Sequence, residues 1–187
     1  IFLYPMALSF IVTGTAWRWF LNPGLGLERS IRGLGWDTFV FDWIINKDTA
    51  IYTVVLAGVW QSAGFCIAMF LAGLRSIDKE IIRAAHMDGA RGARLYWRVI
   101  VPMMKPTFLS VFVIQGHLTI KSYDLVVSLT GGGPGNATAL PSTFMYDYTF
   151  TRNLMSIGSA SSIMMLCLVA VIIVPYLWRE LRGEGSR

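Results

Sequence analysis

Polar side chains with flanking aromatic rings interrupt two long apolar runs of this sequence, where an unpaired polar group is costly. They are Trp60, Gln61, Ser62 and Phe65 in the first run, and Gln115, Thr119 and Ser122 in the second. The polar residues of the second run lie four and three positions apart, which places them on one face of a helix. A sugar needs hydroxyl partners and an aromatic platform, and this set supplies both. Hydrogen bonding between neighbouring helices explains the polar residues equally well, so both interpretations stay open.

The sequence lacks the groupings that catalysis or metal binding requires. His86 and His117 are accompanied by no serine or cysteine nucleophile and no carboxylate pair at catalytic spacing. Cys66 and Cys167 stand singly inside apolar runs, as small buried hydrophobic residues do. The glycine-rich segment 131–135 is not followed by the Lys-Ser/Thr of a phosphate loop and is typical of a turn. We therefore assign no catalytic residue, metal site or nucleotide site to this chain.

The elements that carry the polar residues are predicted to be transmembrane helices. Of 187 residues, 55% are hydrophobic and only 14% are charged, against about 25% charged residues in soluble domains. Runs long enough to cross a bilayer, which takes about 20 helical residues, occur at about 1–20, 52–74, 107–129 and 157–178. The predicted fold class is an all-α membrane protein, a bundle of transmembrane helices. Since residue 1 is Ile and lies inside an apolar run, we expect an N-terminal truncation.

Basic residues are unevenly distributed among the connections between these runs. The connection 75–106 holds seven basic residues against three acidic ones, whereas 21–51 is slightly acidic and 130–156 carries one residue of each charge. Positively charged connections lie in the cytoplasm, so we expect 75–106 and the C-terminal tail there, and the other two connections outside. The basic residues of the tail are Arg179, Arg182 and Arg187. Within the first connection, the aromatic segment 36–43 predicts a short interfacial helix.

The net charge of +5 does not indicate a nucleic-acid partner, because the basic residues stand in these connections and form no Lys/Arg-rich run. Arg91, Arg94 and Arg98 fall on one helical face, which favours contact with anionic lipid headgroups over contact with a protein. Lys121 and Asp124, three residues apart, are expected to pair with each other or to lie at the membrane interface.

The connection 75–106 carries the clearest local pattern. Asp78 can cap a helix, and Gly89 suits the left-handed conformation that ends one. A second helix is predicted over 90–101, where Pro102 ends it.

The first of these helices, over 78–89, is too short to be stable alone, so something must hold it. Ile82, Ala85 and Gly89 form an apolar face that narrows to small residues. Such a face can enter a groove on a partner. The alternative is an ordinary loop helix at the membrane interface.

This loop resembles the EAA loop of binding-protein-dependent ABC importer permeases. The residues that match are Ala84, Ala85, Asp88, Gly89 and Pro102. Arg83 stands where the family has Glu, and Glu80, one turn earlier, can take its place. The resemblance implies that the 78–89 helix is the coupling helix that docks in a cleft of the ATPase subunit. The implied contact residues are Glu80, Arg83, Ala84, Ala85, Asp88 and Gly89.

The resemblance to carbohydrate permeases extends over essentially the whole chain. The segments that carry it are 17–19, 57–74, 121–125, 129–135 and 144–146. The pattern is most similar to the glucose/mannose-type branch. It implies a multi-pass permease of the bacterial inner membrane with six spans, two of which precede residue 1. Related maltose-type permeases contact sugar from the two spans that hold Gln61 and Gln115.

The implied function is the transmembrane permease subunit of an ATP-driven sugar importer, for a monosaccharide such as glucose or mannose. The implied partners are a dimer of ATPase subunits, a second permease subunit and an extracytoplasmic sugar-binding protein. ATP belongs to the ATPase, so this chain is expected to bind no cofactor and not to be an enzyme. The alternatives are a permease of this family for an oligosaccharide or glycerol phosphate, and an ion-coupled secondary transporter.

Overall fold

The computed structural model describes residues 2–184, so Ile1 of the first apolar run and Arg187 of the tail lie outside the described part. Within that part the chain is helical and forms no β-strand, which confirms the predicted fold class. The helices are α1 (Tyr4–Ala7), α2 (Phe10–Phe20), α3 (Leu27–Gly33), α4 (Ala50–Arg75), α5 (Lys79–Met87), α6 (Ala93–Met103), α7 (Lys105–Ile120), α8 (Asp124–Thr130), α9 (Pro141–Tyr146) and α10 (Met155–Glu184). A π turn lies inside α6 at Tyr96–Ile100, and another follows α9 at Asp147–Thr151.

Two of these helices, α4 and α10, are long and apolar enough to cross a membrane, α10 through its part Met155–Tyr176. A third crossing results if α6 and α7 count as one span bent by 63°. The predicted spans 52–74 and 157–178 fall within α4 and α10. The predicted spans 1–20 and 107–129 are each divided between two helices, α1 with α2 and α7 with α8.

The first division lies at Leu8 and Ser9, between α1 and α2. Leu8 has an extended backbone (ψ 144°) and ends α1, while the Ser9 hydroxyl accepts a hydrogen bond from the Val12 amide at 3.3 Å and so caps α2. The second division lies at 121–123, where polar residues interrupt the apolar run. Apolar composition continues across the first break, so composition alone predicts one continuous helix there.

Close helix contacts at glycines hold the bundle together. Gly14 of α2 lies against Ser128 of α8, where a Cβ atom on Gly14 would overlap the serine hydroxyl. Gly64 of α4 lies in the same way against the carbonyl of Phe2, just before α1. Such small residues let helix backbones approach closely in membrane proteins. Helices α4 and α8 also pack against each other, and their contact buries Val54, Ala57, Leu125, Val126 and Leu129.

A second buried cluster joins α5 to α6 and to the residue before α7. Its members are Ile77, Ala85, Leu95, Ile100 and Met104. Because α6 begins at Ala93 instead of residue 90 and passes through Pro102, the predicted bounds of this helix are wrong. Pro102 lacks the amide hydrogen that an α turn would use, and the wider π turn just before it accommodates the ring. The chain bends only after Met103, ahead of Pro106 in the first turn of α7.

The segment 36–43, predicted as an interfacial helix, is not helical. Its backbone bonds instead to α3, because the Phe41 amide donates to the Glu28 carboxylate at 3.0 Å and the Arg32 guanidinium donates to the Phe39 carbonyl at 2.9 Å. Glu28 and Arg32 also form an ion pair at 2.8 Å. With these backbone groups engaged, the aromatic rings of the segment stack along a bent chain rather than around a helix.

Candidate functional site

The first candidate region is α5, the predicted coupling helix. Asp78 caps this helix, since its carboxylate accepts a hydrogen bond from the Glu80 amide at 2.8 Å. At the other end Gly89 has φ +79°, a left-handed conformation that glycine adopts most easily. Both predictions for the ends of this helix are therefore confirmed.

The face of α5 that is open to a partner differs from the predicted one. Ala85 is only 8% exposed and packs with Ile82 into the cluster around Leu95 and Ile100. The prediction that Ile82 and Ala85 enter a partner groove is wrong, because this chain covers that face itself. The exposed residues of α5 and of the turn after it include Glu80, Arg83, Ala84, Met87, Asp88 and Gly89, with Met87 90% exposed, and we call this set the open face of α5.

The second candidate region is a cavity of about 280 Å³ between α4, α7 and α8, which we call the α4–α7 cavity. Four residues predicted for the sugar path line it together: Ser62, Gln115, Thr119 and Ser122. The rest of its lining is apolar, with the Phe10 ring as its aromatic surface and no charged side chain among the described lining residues. The polar face predicted for Gln115, Thr119 and Ser122 therefore borders the same cavity as Ser62 of α4.

Hydrogen bonds within the helices leave acceptor groups at this cavity. The Ser62 hydroxyl donates to the Gly58 carbonyl and the Thr119 hydroxyl donates to the Gln115 carbonyl, both at 2.8 Å. Each hydroxyl oxygen keeps lone pairs that can accept a further bond. The Gln115 side-chain oxygen Oε1 is buried and has no hydrogen-bond partner in the described part of the protein. The Gln115 side chain lines the cavity although its oxygen is covered, so the hydroxyls of Ser62 and Thr119 are the acceptors that a ligand would meet there.

Gln61, also predicted for the sugar path, has a different environment. Its side chain is 5% exposed, and its Nε2 atom donates to the Leu8 carbonyl at 2.9 Å. Leu8 ends α1, so the Gln61 amide supplies a donor that a continuous helix would have taken from its own backbone. Gln61 does not line the α4–α7 cavity. Sequence analysis missed this partner because it did not predict the break between α1 and α2.

The predicted aromatic platform also lies outside the α4–α7 cavity. The Trp60 ring meets Trp17 edge to face, with centroids 5.9 Å apart, at a separate cavity of about 290 Å³ between α2 and α4. Phe65 lines neither cavity. The aromatic surface near Gln115 comes instead from Phe10, which nothing distinguishes from the other apolar residues of the run 1–20.

The charged residues singled out in the sequence lie at the surface of this chain. Lys121 and Asp124 are both exposed, and no ion pair joins them although both belong to the described part. Arg91, Arg94 and Arg98 are also exposed, as contact with lipid headgroups requires.

Comparison with known proteins places this fold in a family. Residues 2–183 match the family described as binding-protein-dependent transport system inner membrane component. A probable ABC transporter permease protein of Pyrococcus horikoshii is 35% identical to this chain, over 98% of the chain and 63% of the relative. The xylose/arabinose import permease protein of Haloferax volcanii is 33% identical, over 99% of the chain and 58% of the relative.

A solved structure shares the architecture. The crystal structure of a bacterial ABC transporter involved in the import of the acidic polysaccharide alginate superposes with a TM-score of 0.81, at 21% identity, over 97% of this chain and 64% of that one. This chain thus spans between 58% and 64% of the length of these three proteins. Because the family match covers nearly every residue, the chain belongs to the family of binding-protein-dependent transport system inner membrane components.

Proposed function

We propose that this chain is the permease subunit of an ATP-driven, binding-protein-dependent importer of a neutral sugar, and that it forms part of the sugar path. The observation that carries the proposal is the α4–α7 cavity, where the polar side chains of Ser62, Gln115, Thr119 and Ser122 stand in an otherwise apolar lining. Membership of the transport family supports the same conclusion.

The chemistry of this cavity favours a neutral monosaccharide of the glucose/mannose type. Sugar hydroxyls can bond to the hydroxyls of Ser62 and Thr119 and to the Gln115 side-chain amide, while the ring carbons pack on apolar side chains. A phosphate would require a cationic partner, and no charged side chain is found among the described lining residues, which argues against glycerol phosphate.

Coupling to ATP hydrolysis takes place at the open face of α5. The sequence holds no phosphate loop, so ATP is bound and hydrolysed by a dimer of partner ATPase subunits, and this chain is not an enzyme. A groove on the ATPase receives Ala84 and Met87, with Glu80 and Arg83 at the rim of the groove. Movement of the ATPase displaces α5, and the buried cluster around Ala85 transmits this displacement to α7. A second permease completes the path, and an extracytoplasmic binding protein delivers the sugar. The spans then alternate between two packed arrangements.

An ion-coupled secondary transporter is disfavoured by the surroundings of the ionisable residues. Such a transporter needs a titratable coupling residue inside the membrane near the substrate. His117, Lys121 and Asp124 are the candidates in the predicted span, and none of them lines the α4–α7 cavity.

The test is Gln115→Leu in the assembled complex, with uptake of D-glucose, D-mannose and D-xylose into proteoliposomes normalised to assembled protein. Loss of one hydrogen bond to the sugar is worth about 1 kcal/mol, so we expect about a three- to tenfold fall in uptake at low sugar concentration. Stimulation of the ATPase by the binding protein should persist. Gln61→Leu is the matched control, since it should leave the order of preference among these sugars unchanged. Unaltered uptake and preference in Gln115→Leu would remove this cavity from the sugar path.

A further inference from the structure

A larger cavity, of about 470 Å³, lies on the other face of α8. Leu125 lines the α4–α7 cavity and Val127 lines the larger one, and residues two positions apart point to nearly opposite sides of a helix. In the break before α8, Ser122 likewise lines the first cavity and Tyr123 the second. We call the larger space the aromatic cavity, since the rings that line it are Tyr123, Phe144, Tyr146 and Tyr148.

These rings form two groups. In the first, the centroids of Tyr123 and Tyr146 are 4.5 Å apart, and Phe150, outside the cavity lining, lies 5.0 Å from Tyr146. In the second, the centroids of Phe144 and Tyr148 are 4.2 Å apart. Such surfaces accept the C–H face of a sugar ring, while the tyrosine hydroxyls offer donors and acceptors at its edge.

The charges of the aromatic cavity cancel. The Arg152 Nε atom lies 2.8 Å from the Asp147 Oδ2 atom, and the guanidinium carbon lies 4.5 Å from the centre of the Tyr148 ring. No other charged side chain is found among the described residues that line this cavity. An organic cation is disfavoured at Tyr148, because Arg152 already covers that ring, and a phosphate is disfavoured because it would need an unpaired cation. A neutral polyhydroxy ligand fits, because the second oxygen of Asp147 and the Nη atoms of Arg152 can each bond to neighbouring hydroxyls.

We propose that the aromatic cavity is a second carbohydrate subsite, separate from the α4–α7 cavity. It adjoins the glycine-rich turn through Gly131 and Gly132, which the charge distribution puts on the extracytoplasmic side, so a sugar released there meets this subsite first. The inference rests on the proposed function, since it assumes that the transported ligand is a neutral sugar.

The experiment measures how sugar protects single cysteines from a membrane-impermeant maleimide in the assembled complex in nanodiscs, with Cys66 and Cys167 replaced by alanine. Thr151→Cys reports on the aromatic cavity and Val59→Cys on the α4–α7 cavity, where Val59 is exposed and supplies no polar group. Leu154→Cys is the control, because Leu154 is exposed, lies three residues from Thr151 and is not among the residues that line either cavity. The probes are D-glucose, D-mannose and D-xylose, with sn-glycerol 3-phosphate as an anionic comparison.

We expect at least one neutral sugar to slow labelling of Thr151→Cys about threefold or more, with no effect on Leu154→Cys and none from sn-glycerol 3-phosphate. Adding Asp147→Asn, which leaves Arg152 uncompensated, should abolish protection at Thr151→Cys and leave it intact at Val59→Cys. The double change Asp147→Asn with Arg152→Gln, which restores neutrality, should recover part of the protection at Thr151→Cys. Protection at Val59→Cys without protection at Thr151→Cys would overturn the second subsite alone. Protection at neither position would overturn the proposed function and this inference with it.

Discussion

Gln61 and Gln115 carry the same amide group on neighbouring helices, α4 and α7, and differ in what surrounds it. The amide nitrogen of Gln61 is bonded to the Leu8 carbonyl at 2.9 Å. The side-chain oxygens of both glutamines are buried without a hydrogen-bond partner in the described part of the chain. The two residues differ in that Gln115 lines the α4–α7 cavity and Gln61 does not. Gln61 therefore supports a backbone break, whereas Gln115 borders the proposed sugar site.

At this scale we predict that Gln61→Leu lowers the stability of the complex without changing which sugar it transports. The substitution leaves the Leu8 carbonyl without its donor, at a cost of about 1 kcal/mol. The thermal midpoint of the detergent-solubilised complex should fall. Ser62→Ala is the stability control, because the Ser62 hydroxyl bonds only to the Gly58 carbonyl of its own helix. An unchanged midpoint for Gln61→Leu, or an altered sugar preference, would contradict this role.

The sequence located the polar residues of the cavity but not their separate roles. The spacing of Gln115, Thr119 and Ser122 was enough to place them on one face, because helix periodicity is a local property. The partner of Gln61 lies 53 residues earlier, at a backbone carbonyl, and side-chain patterns carry no information about an exposed carbonyl. Trp60 was predicted to lie with Ser62 because the two are close in sequence. Residues two positions apart on a helix point to nearly opposite sides, so Trp60 lies outside the cavity that Ser62 lines.

The helix α5 illustrates the same limit at the scale of elements. Its ends follow from residue chemistry, through the carboxylate cap of Asp78 and the positive φ of Gly89. Its orientation does not, because an apolar face indicates burial without saying which molecule covers it. Here α6 and the start of α7 cover Ala85, and the exposed side is the mixed face with Ala84 and Met87.

We therefore predict that a large residue on the open face of α5 uncouples transport, while the same residue on its buried face destabilises the chain. Ala84→Trp should assemble and bind sugar normally but lose most ATP-driven uptake, since Ala84 is exposed. Ala85→Trp should lower the yield of folded protein, because overpacking a buried site costs about 1–3 kcal/mol. Uptake is measured in proteoliposomes, and folded yield by size-exclusion chromatography. Full uptake in Ala84→Trp would mean that the ATPase docks elsewhere.

Gly89 allows the docking role and the backbone role to be separated. Gly89→Leu is strained whatever the partner, since a bulky side chain is rarely found at φ +79°. Gly89→Asn tolerates this conformation better, and an added Cβ meets nothing within 4 Å in this chain. If the groove requires the small residue, both variants lose ATP-driven uptake, whereas only Gly89→Leu loses thermal stability. Normal uptake in Gly89→Asn would limit Gly89 to ending the helix.

For the whole molecule, composition was sufficient to predict a helical membrane protein, and charge asymmetry predicts which connections face the cytoplasm. The divisions of the first and third runs were not predictable in this way. Hydropathy averages over about 20 residues, and a break of two or three residues, such as Leu8 and Ser9, barely alters the average. The glycine contacts that fix the packing, such as Gly14 with Ser128, depend on residues more than 100 positions apart.

The orientation gives a prediction at the same scale. Single cysteines introduced as Lys79→Cys and Ala139→Cys, with Cys66 and Cys167 replaced, should be labelled from opposite sides of the membrane. An impermeant maleimide applied to intact cells should label Ala139→Cys, and Lys79→Cys should react only after the cells are opened. Both positions are exposed in this chain. Labelling of both from one side would reverse the assignment of 75–106 to the cytoplasm.

The buried cluster around Ala85 and Met104 has a mechanical consequence. Because these side chains are packed together, we expect α5 and the first turn of α7 to move as one unit. Gln115 lies about 15 Å along α7 from Lys105, since it is ten residues further on at 1.5 Å per residue. A rotation of α7 by about 10° around its first residue would therefore displace the Gln115 amide by roughly 2.5 Å. A hydrogen bond fails when its atoms separate beyond about 3.5 Å. If the ATPase docks on α5 and a sugar binds beside Gln115, as proposed, a rotation of this size would release the sugar.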